Sequence, residues 1–176
     1  MKRRAATWLA AGLVLAGCAT APPPGAAPPG ALRAGRLVVK VAEGDQGSRS
    51  HSAAFELQGD ETTGRLRLLG PLGTQVAQAE WGPQGVQLDD GQGRRHFPDL
   101  TTLAREALGE PLPLAALLHW LAGRPWPGAP HEPSAQGFVQ LGWAVDLSRW
   151  ADAATLQAER LDPPGVSVRA RLDPAP

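Results

Sequence analysis

The hydrophobic period of this chain changes twice, and that order constrains its fold more than any single motif. In short stretches between Gly35 and Phe97, separated by turns, apolar residues recur at every second position with Val38 as a break, the spacing of half-buried strands. Leu37, Val39 and Val41 alternate with Arg36 and Lys40, and Ala53, Phe55 and Leu57 share one face of the stretch 51–58. Arg65-Leu66-Arg67-Leu68 and Gln75-Val76-Ala77-Gln78-Ala79-Glu80-Trp81 read as the two arms of a hairpin reversed by Gly70-Pro71-Leu72-Gly73. Val86 and Leu88 make a further short strand, and 94–97 its partner across the Asp89-Asp90-Gly91-Gln92-Gly93 turn. Over 99–123 the period becomes helical. Asp99 is a good N-cap, Leu100, Leu103, Ala104, Ala107 and Leu108 fall on one face, and Gly109 is a stop. A second helix opens at Pro111 and Pro113, with Pro113 in its first turn, and its body from Leu114 to Ala122 is apolar nearly all round before Gly123. Arg124 to Pro130 reads as a proline-held loop around Trp126. Strands resume at 138–141 and 143–150 and end in a hairpin, 156–161 with 166–170. Strands, two helices, then strands predict helices inserted into one antiparallel sheet, not the crossovers of a parallel one.

The first 17 residues have a different character. Lys2, Arg3 and Arg4 precede an apolar run from Ala5 to Ala16, too short to span a bilayer as a stable helix, so 1–17 reads as a secretory signal. Leu15-Ala16-Gly17-Cys18 has the form of a bacterial lipobox, which makes Cys18 the lipidated mature N-terminus. Cys18 is also the only cysteine, so no intramolecular disulfide is possible. Several acyl chains together anchor a protein stably where one does not. Residues 18–34 form the lipidated end and a linker rich in proline, extending at most about 3.1 Å per residue. The remaining segment, 35–176, is one domain by size. The chain carries 17 basic and 17 acidic residues; loss of the three signal cations leaves a net charge of −3. There is no basic footprint for nucleic acid and no polybasic segment for anionic lipid.

No catalytic constellation is present. His51, His96, His119 and His131 lack metal-ligand spacing, and no nucleophile elbow or phosphate loop occurs. Catalytic residues, metals and cofactors are therefore not expected. His119 reads as a half-buried helix histidine with one hydrogen bond, and Arg94-Arg95 as a solvated strand face. The apolar supply is the unusual feature. Ala77 and Ala79 occupy inward strand positions where Val or Ile would pack better, and five tryptophans follow residue 80. Small inward residues under an apolar helix leave a cavity for an apolar ligand, unless Trp120 and Leu117 fill it as a solid core. Leu72 has two readings as well. A hairpin tip faces water, so Leu72 either folds back onto the core or meets something apolar outside.

Three elements in order resemble the LolB family, the outer-membrane lipoprotein receptors of the Lol pathway. They are Arg67-Leu68-Leu69-Gly70-Pro71-Leu72-Gly73-Thr74, the Trp81-Gly82-Pro83-Gln84-Gly85-Val86 turn, and Glu110-Pro111-Leu112-Pro113-Leu114 followed by Trp120-Leu121-Ala122-Gly123-Arg124-Pro125. The resemblance covers essentially the whole chain. It implies a mainly β fold: a half-open antiparallel β-barrel of the LolA/LolB type, with inserted α-helices covering a hydrophobic cavity. It implies acylated lipoprotein as cargo, a LolA-like periplasmic carrier as donor, outer-membrane lipid as acceptor, and a monomer as the working unit. The residues expected to line the cavity are Leu66, Leu68, Ala77, Ala79, Trp81, Leu103, Leu117, Trp120 and Leu121. By the same resemblance Pro71, Leu72 and Gly73 form the loop needed for membrane insertion, which tips the reading of Leu72 outward. Ala19, where inner-membrane lipoproteins tend to carry Asp, implies sorting to the periplasmic face of the outer membrane. A lipid-anchored module for a small apolar ligand, or a structural envelope lipoprotein with a solid core, are the other classes.

Overall fold

A computed structural model describes residues 32–42, 48–109, 111–163 and 165–174. Cys18, the expected signal and most of the expected linker lie outside these residues. The chain forms β1 (Arg33–Ala42), β2 (Ser48–Gly59), β3 (Gly64–Leu69), β4 (Gln75–Gly82), β5 (Gly85–Asp89), β6 (Arg94–Phe97), α1 (Leu100–Leu108) and α2 (Leu114–Trp120). It continues with β7 (His131–Ser134), β8 (Gly137–Gln140), β9 (Trp143–Asp146), α3 (Trp150–Ala153), β10 (Thr155–Arg160) and β11 (Val166–Leu172). All strands join one antiparallel sheet in the order β6-β5-β4-β3-β2-β1-β11-β10-β9-β8-β7. The first and last strands pair at its centre, and β6 and β7 are its two edges. The segment carrying α1 and α2 therefore runs from one edge to the other. This is the half-open barrel, and the two helices lie over its concave face.

The inward face follows from strand alternation. Leu37, Val39 and Val41 on β1 pair with Ala170, Val168 and Val166 on β11, and Val39, Val41, Val166, Val168 and Ala170 are buried. The side-chain period of two puts Arg36, Lys40, Arg169 and Arg171 on the outer face. α1 begins where Asp99 accepts the Thr102 amide at 2.7 Å and ends at Gly109, in the left-handed conformation at φ 75°.

Three expectations need correction. The body of α2 stops at Trp120, not Ala122, and Pro113 is its N-cap rather than a first-turn residue. The Ala122 amide reaches the His119 carbonyl and the Gly123 amide the Trp120 carbonyl, so the last turn tightens to i→i+3 bonding. The chain then reverses through Gly123 at φ 71°, where a Cβ would lie 2.4 Å from Trp150 Nε1. The expected strand 143–150 breaks after Asp146. Its carboxylate accepts the Ser148 amide at 2.7 Å, an Asx turn that competes with the ladder and leads into α3. Finally, 131–134 is an edge strand, β7, carrying Pro133, which an edge tolerates and a central strand would not.

α2 is tied to the β2–β3 turn. His119 Nε2 lies 2.9 Å from Glu61 Oε2. The Glu61 carboxyl is held below its ordinary value, first by its own backbone N–H and then by His119. It is therefore an ionised acceptor at neutral pH, and the imidazole donates. Beside it, the Trp81 indole donates to the Asp60 carbonyl at 2.6 Å, and Asp60 accepts from Thr62 and Thr63. A depressed carboxylate stabilises the fold above its unfolded pKa and loses that contribution as pH falls through the folded one. Glu61→Gln should thus lower the melting temperature at neutral pH. The difference from wild type should shrink as pH drops through the carboxylate range, which a series of thermal melts would check.

Candidate functional site: an apolar cavity and an exposed hairpin tip

Along the inner face of β2 the side chains shrink and then become polar. Leu57 and Phe55 are fully buried, Ala53 is half-buried and His51 is exposed. On the facing hairpin Leu66 pairs with Ala79 and Leu68 with Ala77. The large residues fill one end of the barrel, and the small ones leave the other unfilled. The result is a cavity of about 510 Å³. Its walls are Leu37 and Val39 of β1, Ala53 of β2, Leu66 and Leu68 of β3, Ala77 and Ala79 of β4, and Leu88 of β5. Leu103, Ala104 and Ala107 of α1, Leu112, and Leu114 and Leu117 of α2 cover it. Ser50, His51 and Ser52 are the polar lining, all on the exposed part of β2.

The structure places Leu66, Leu68, Ala77, Ala79, Leu103 and Leu117 on the wall of this cavity. Trp81 and Leu121 line a smaller adjoining space of about 60 Å³ that shares Leu66, Ala79, Leu103 and Leu117 with the first. Trp120, expected in the cavity wall, lines neither. It turns away from the cavity, with its ring 6.3 Å from Phe138 and 6.1 Å from Trp143. Its indole N–H donates to Gln140 Oε1 at 2.9 Å. A buried indole needs an acceptor, and Gln140 on β8 supplies one. Sequence reasoning missed Gln140, which is 1% exposed. Its amide also accepts the Trp126 amide and donates to the carbonyls of Trp126 and Ala129. The available signal was a glutamine at an inward position, two residues after Phe138. Leu37 and Val39 were also legible, as the inner face of a period-two strand.

The tip of the β3–β4 hairpin carries Leu72 away from the core. The Gly73 amide donates to the Gly70 carbonyl and the Gly70 amide to the Thr74 carbonyl, both at 2.9 Å. Gly73 takes φ 75°, which a side chain would strain. In the turn so closed Leu72 points off the core and is 92% exposed. Pro71 and Gly73 are exposed beside it, and Val76 is 50% exposed. Leu68 and Ala77, the last inward pair before the tip, are cavity wall. One hairpin thus carries both the wall and the exposed leucine.

Among the described residues no group of three or more His, Cys, Asp or Glu could hold a metal ion. No helix among them is long and apolar enough to cross a membrane.

Residues 34–170 match the family described as "Outer membrane lipoprotein LolB". The chain is similar to the "Outer-membrane lipoprotein LolB" of Bordetella petrii, with 35% identity over 95% of this chain and 85% of that one. The Bordetella pertussis protein of the same name is 36% identical over 90% of this chain and 85% of its own length. That of Thiobacillus denitrificans is 34% identical over 97% and 96% respectively. With a half-open barrel, an apolar cavity and these relatives in agreement, the chain belongs to the LolB family of outer-membrane lipoproteins.

Proposed function

We propose that the protein takes acylated lipoproteins from a soluble LolA-like carrier and inserts them into the inner leaflet of the outer membrane. The observation that carries this reading is the continuity of the cavity wall with the exposed Leu72 on one hairpin. An acyl chain loses about 0.8 kcal/mol for every CH₂ exposed to water, so it crosses the periplasm only when enclosed. The Leu, Val and Ala walls replace that water. Transfer from a carrier then needs only a difference in affinity between two apolar cavities, with no chemical step. At the membrane, Leu72 gains roughly 1.5–3 kcal/mol on entering the acyl region. That is enough to bring the cavity's end wall to the bilayer and too little to trap the domain there. Lipidation at Cys18 holds the protein beside its acceptor membrane. Pro71 and Gly73 keep the tip narrow and Leu72 projecting.

The test uses purified carrier loaded with labelled lipoprotein and the mature chain bearing Cys18→Ser, which carries no lipid. Label should move to the chain. Ala77→Phe, which fills the cavity from a half-buried wall position, should cut uptake at least tenfold while the melting temperature holds. Binding of free fatty acid without transfer would favour the small-ligand module instead. Neither binding nor transfer would favour the structural lipoprotein.

A further inference from the structure

The outer face of the barrel treats its cations in two ways. On β2 to β6 they are paired with acids: Arg65 with Glu80 at 2.6 Å, Arg67 with Glu56 at 2.9 Å, and Arg94 with Asp89 at 4.0 Å. On β1 and β11 they are not. Arg36, Lys40, Arg169 and Arg171 are exposed and make no ion pair with any described residue. Arg36 and Arg171 are directly opposite in register, an arrangement of like charges that destabilises a sheet. Arg169 donates only to the neutral Gln157. Of the nearby acids, Asp146 is turned to the Ser148 amide and Glu159 accepts from Gln157. Folding alone gives no reason for this grouping in a chain whose mature net charge is −3.

Its position does. On the outer face one cross-strand row runs Leu69–Ala54–Arg36–Arg171, and Leu69 immediately precedes the Gly70–Gly73 tip. At the spacing of neighbouring strands, Arg36 is about 10 Å and Arg171 about 15 Å from Leu69. β1 runs parallel in direction to β3, so Lys40 lies further along toward the tip end than Arg36, and so does Arg169, the partner of Val38. The unpaired cations and the exposed leucine therefore belong to the same end of the barrel.

We propose that Arg36, Lys40, Arg169 and Arg171 form a second membrane contact, a face that binds the anionic headgroups of phospholipids while Leu72 enters the acyl region. This rests on the membrane-facing reading of the tip and adds an orientation to it. One leucine fixes a point of contact; a cationic face beside it fixes the tilt, and so decides where the cavity end meets the bilayer. Each cation near an anionic surface raises partitioning roughly fivefold, and salt screens the effect.

The experiment measures co-sedimentation of the mature Cys18→Ser chain with vesicles of phosphatidylcholine, alone or mixed with phosphatidylglycerol, at low and high salt. Wild type should bind the anionic vesicles more tightly, and high salt should remove the gain. Arg36→Gln, Lys40→Gln, Arg169→Gln and Arg171→Gln should each lower anionic binding roughly fivefold and leave neutral binding unchanged. Arg36→Gln and Arg171→Gln should hold or raise the melting temperature, because each relieves a like-charge pair. A gain on anionic vesicles that survives the four substitutions combined in one chain overturns the proposal. So does an absence of any gain in wild type, or variants that weaken carrier docking and not vesicle binding. Leu72→Glu reads the tip separately: undiminished neutral binding in that variant overturns the tip reading, while the anionic gain still reports on the cations.

Discussion

Leu72→Glu should leave the fold and the uptake of cargo intact and abolish delivery to membranes. The side chain is 92% exposed, so its replacement removes no packing. The turn is closed by backbone bonds from Gly73 to Gly70 and from Gly70 to Thr74, which a glutamate does not disturb. The melting temperature should therefore stay within the small range of ordinary surface substitutions. Leu68 and Ala77 keep their places in the cavity wall, so transfer from the carrier should proceed at the wild-type level. The membrane step is different. A leucine gains roughly 1.5–3 kcal/mol on leaving water, and an ionised carboxylate loses more than that. The lost leucine term alone is about a 10- to 150-fold change in partitioning. Lipoprotein recovered in liposomes should fall by at least tenfold, with loaded protein accumulating in solution. If Leu72→Glu instead unfolds the domain or blocks uptake, the tip serves the core and the proposed mechanism fails.

Gln140→Leu should have the largest effect on stability. The glutamine is 1% exposed and makes four hydrogen bonds, to the Trp120 indole, the Trp126 amide and the carbonyls of Trp126 and Ala129. Leucine has a similar size, so packing volume is nearly kept and the loss isolates the polar network. The buried Trp120 indole and three part-buried backbone groups then lack partners, and each costs about 1–3 kcal/mol unless water reaches it. With the loop at 124–130 relaxing to hydrate some of them, a loss of about 3–5 kcal/mol is expected. For a domain of this size that is a fall of about 10 °C in melting temperature, measurable by calorimetry. Because Trp120 faces away from the cavity, the residual folded fraction should still take up cargo. An unchanged melting temperature would mean that the 124–130 loop does not depend on this amide.

The two residues show why some of the molecule was legible and some was not. Leu72 stood out because a large apolar residue at a hairpin tip violates local chemistry, and the violation marks a site. Gln140 violated a rule too, as a glutamine on an inward strand position. Its partners, however, lie 11 to 20 residues away on a loop and a helix, so no local pattern named them. Trp120 was misassigned for the same reason. A helix apolar on all sides fixes that every side is covered, not which side faces a cavity and which faces β8. The break after Asp146 and the edge strand β7 were lost to a side-chain cap and to Pro133, both short-range effects that outweigh a weak alternation over four residues.

The sequence by itself determined the succession of strands, two helices and strands, the inward and outward faces of the strands, the small residues that leave a cavity, and the apolar tip. Those follow from local periodicity and turn chemistry, which act over a few residues. Only the tertiary structure decided how the ends meet. By pairing β1 with β11 it placed Arg36 beside Arg171 across the length of the domain, and no run of basic residues in the chain announces that face. It also laid α1 and α2 over the concave face, so that Leu103 and Leu117 cover the cavity while Trp120 looks away. Strand pairing between distant segments is a global property of the sheet, and it is this pairing that brings a wall, a tip and a charged face to one end of the molecule.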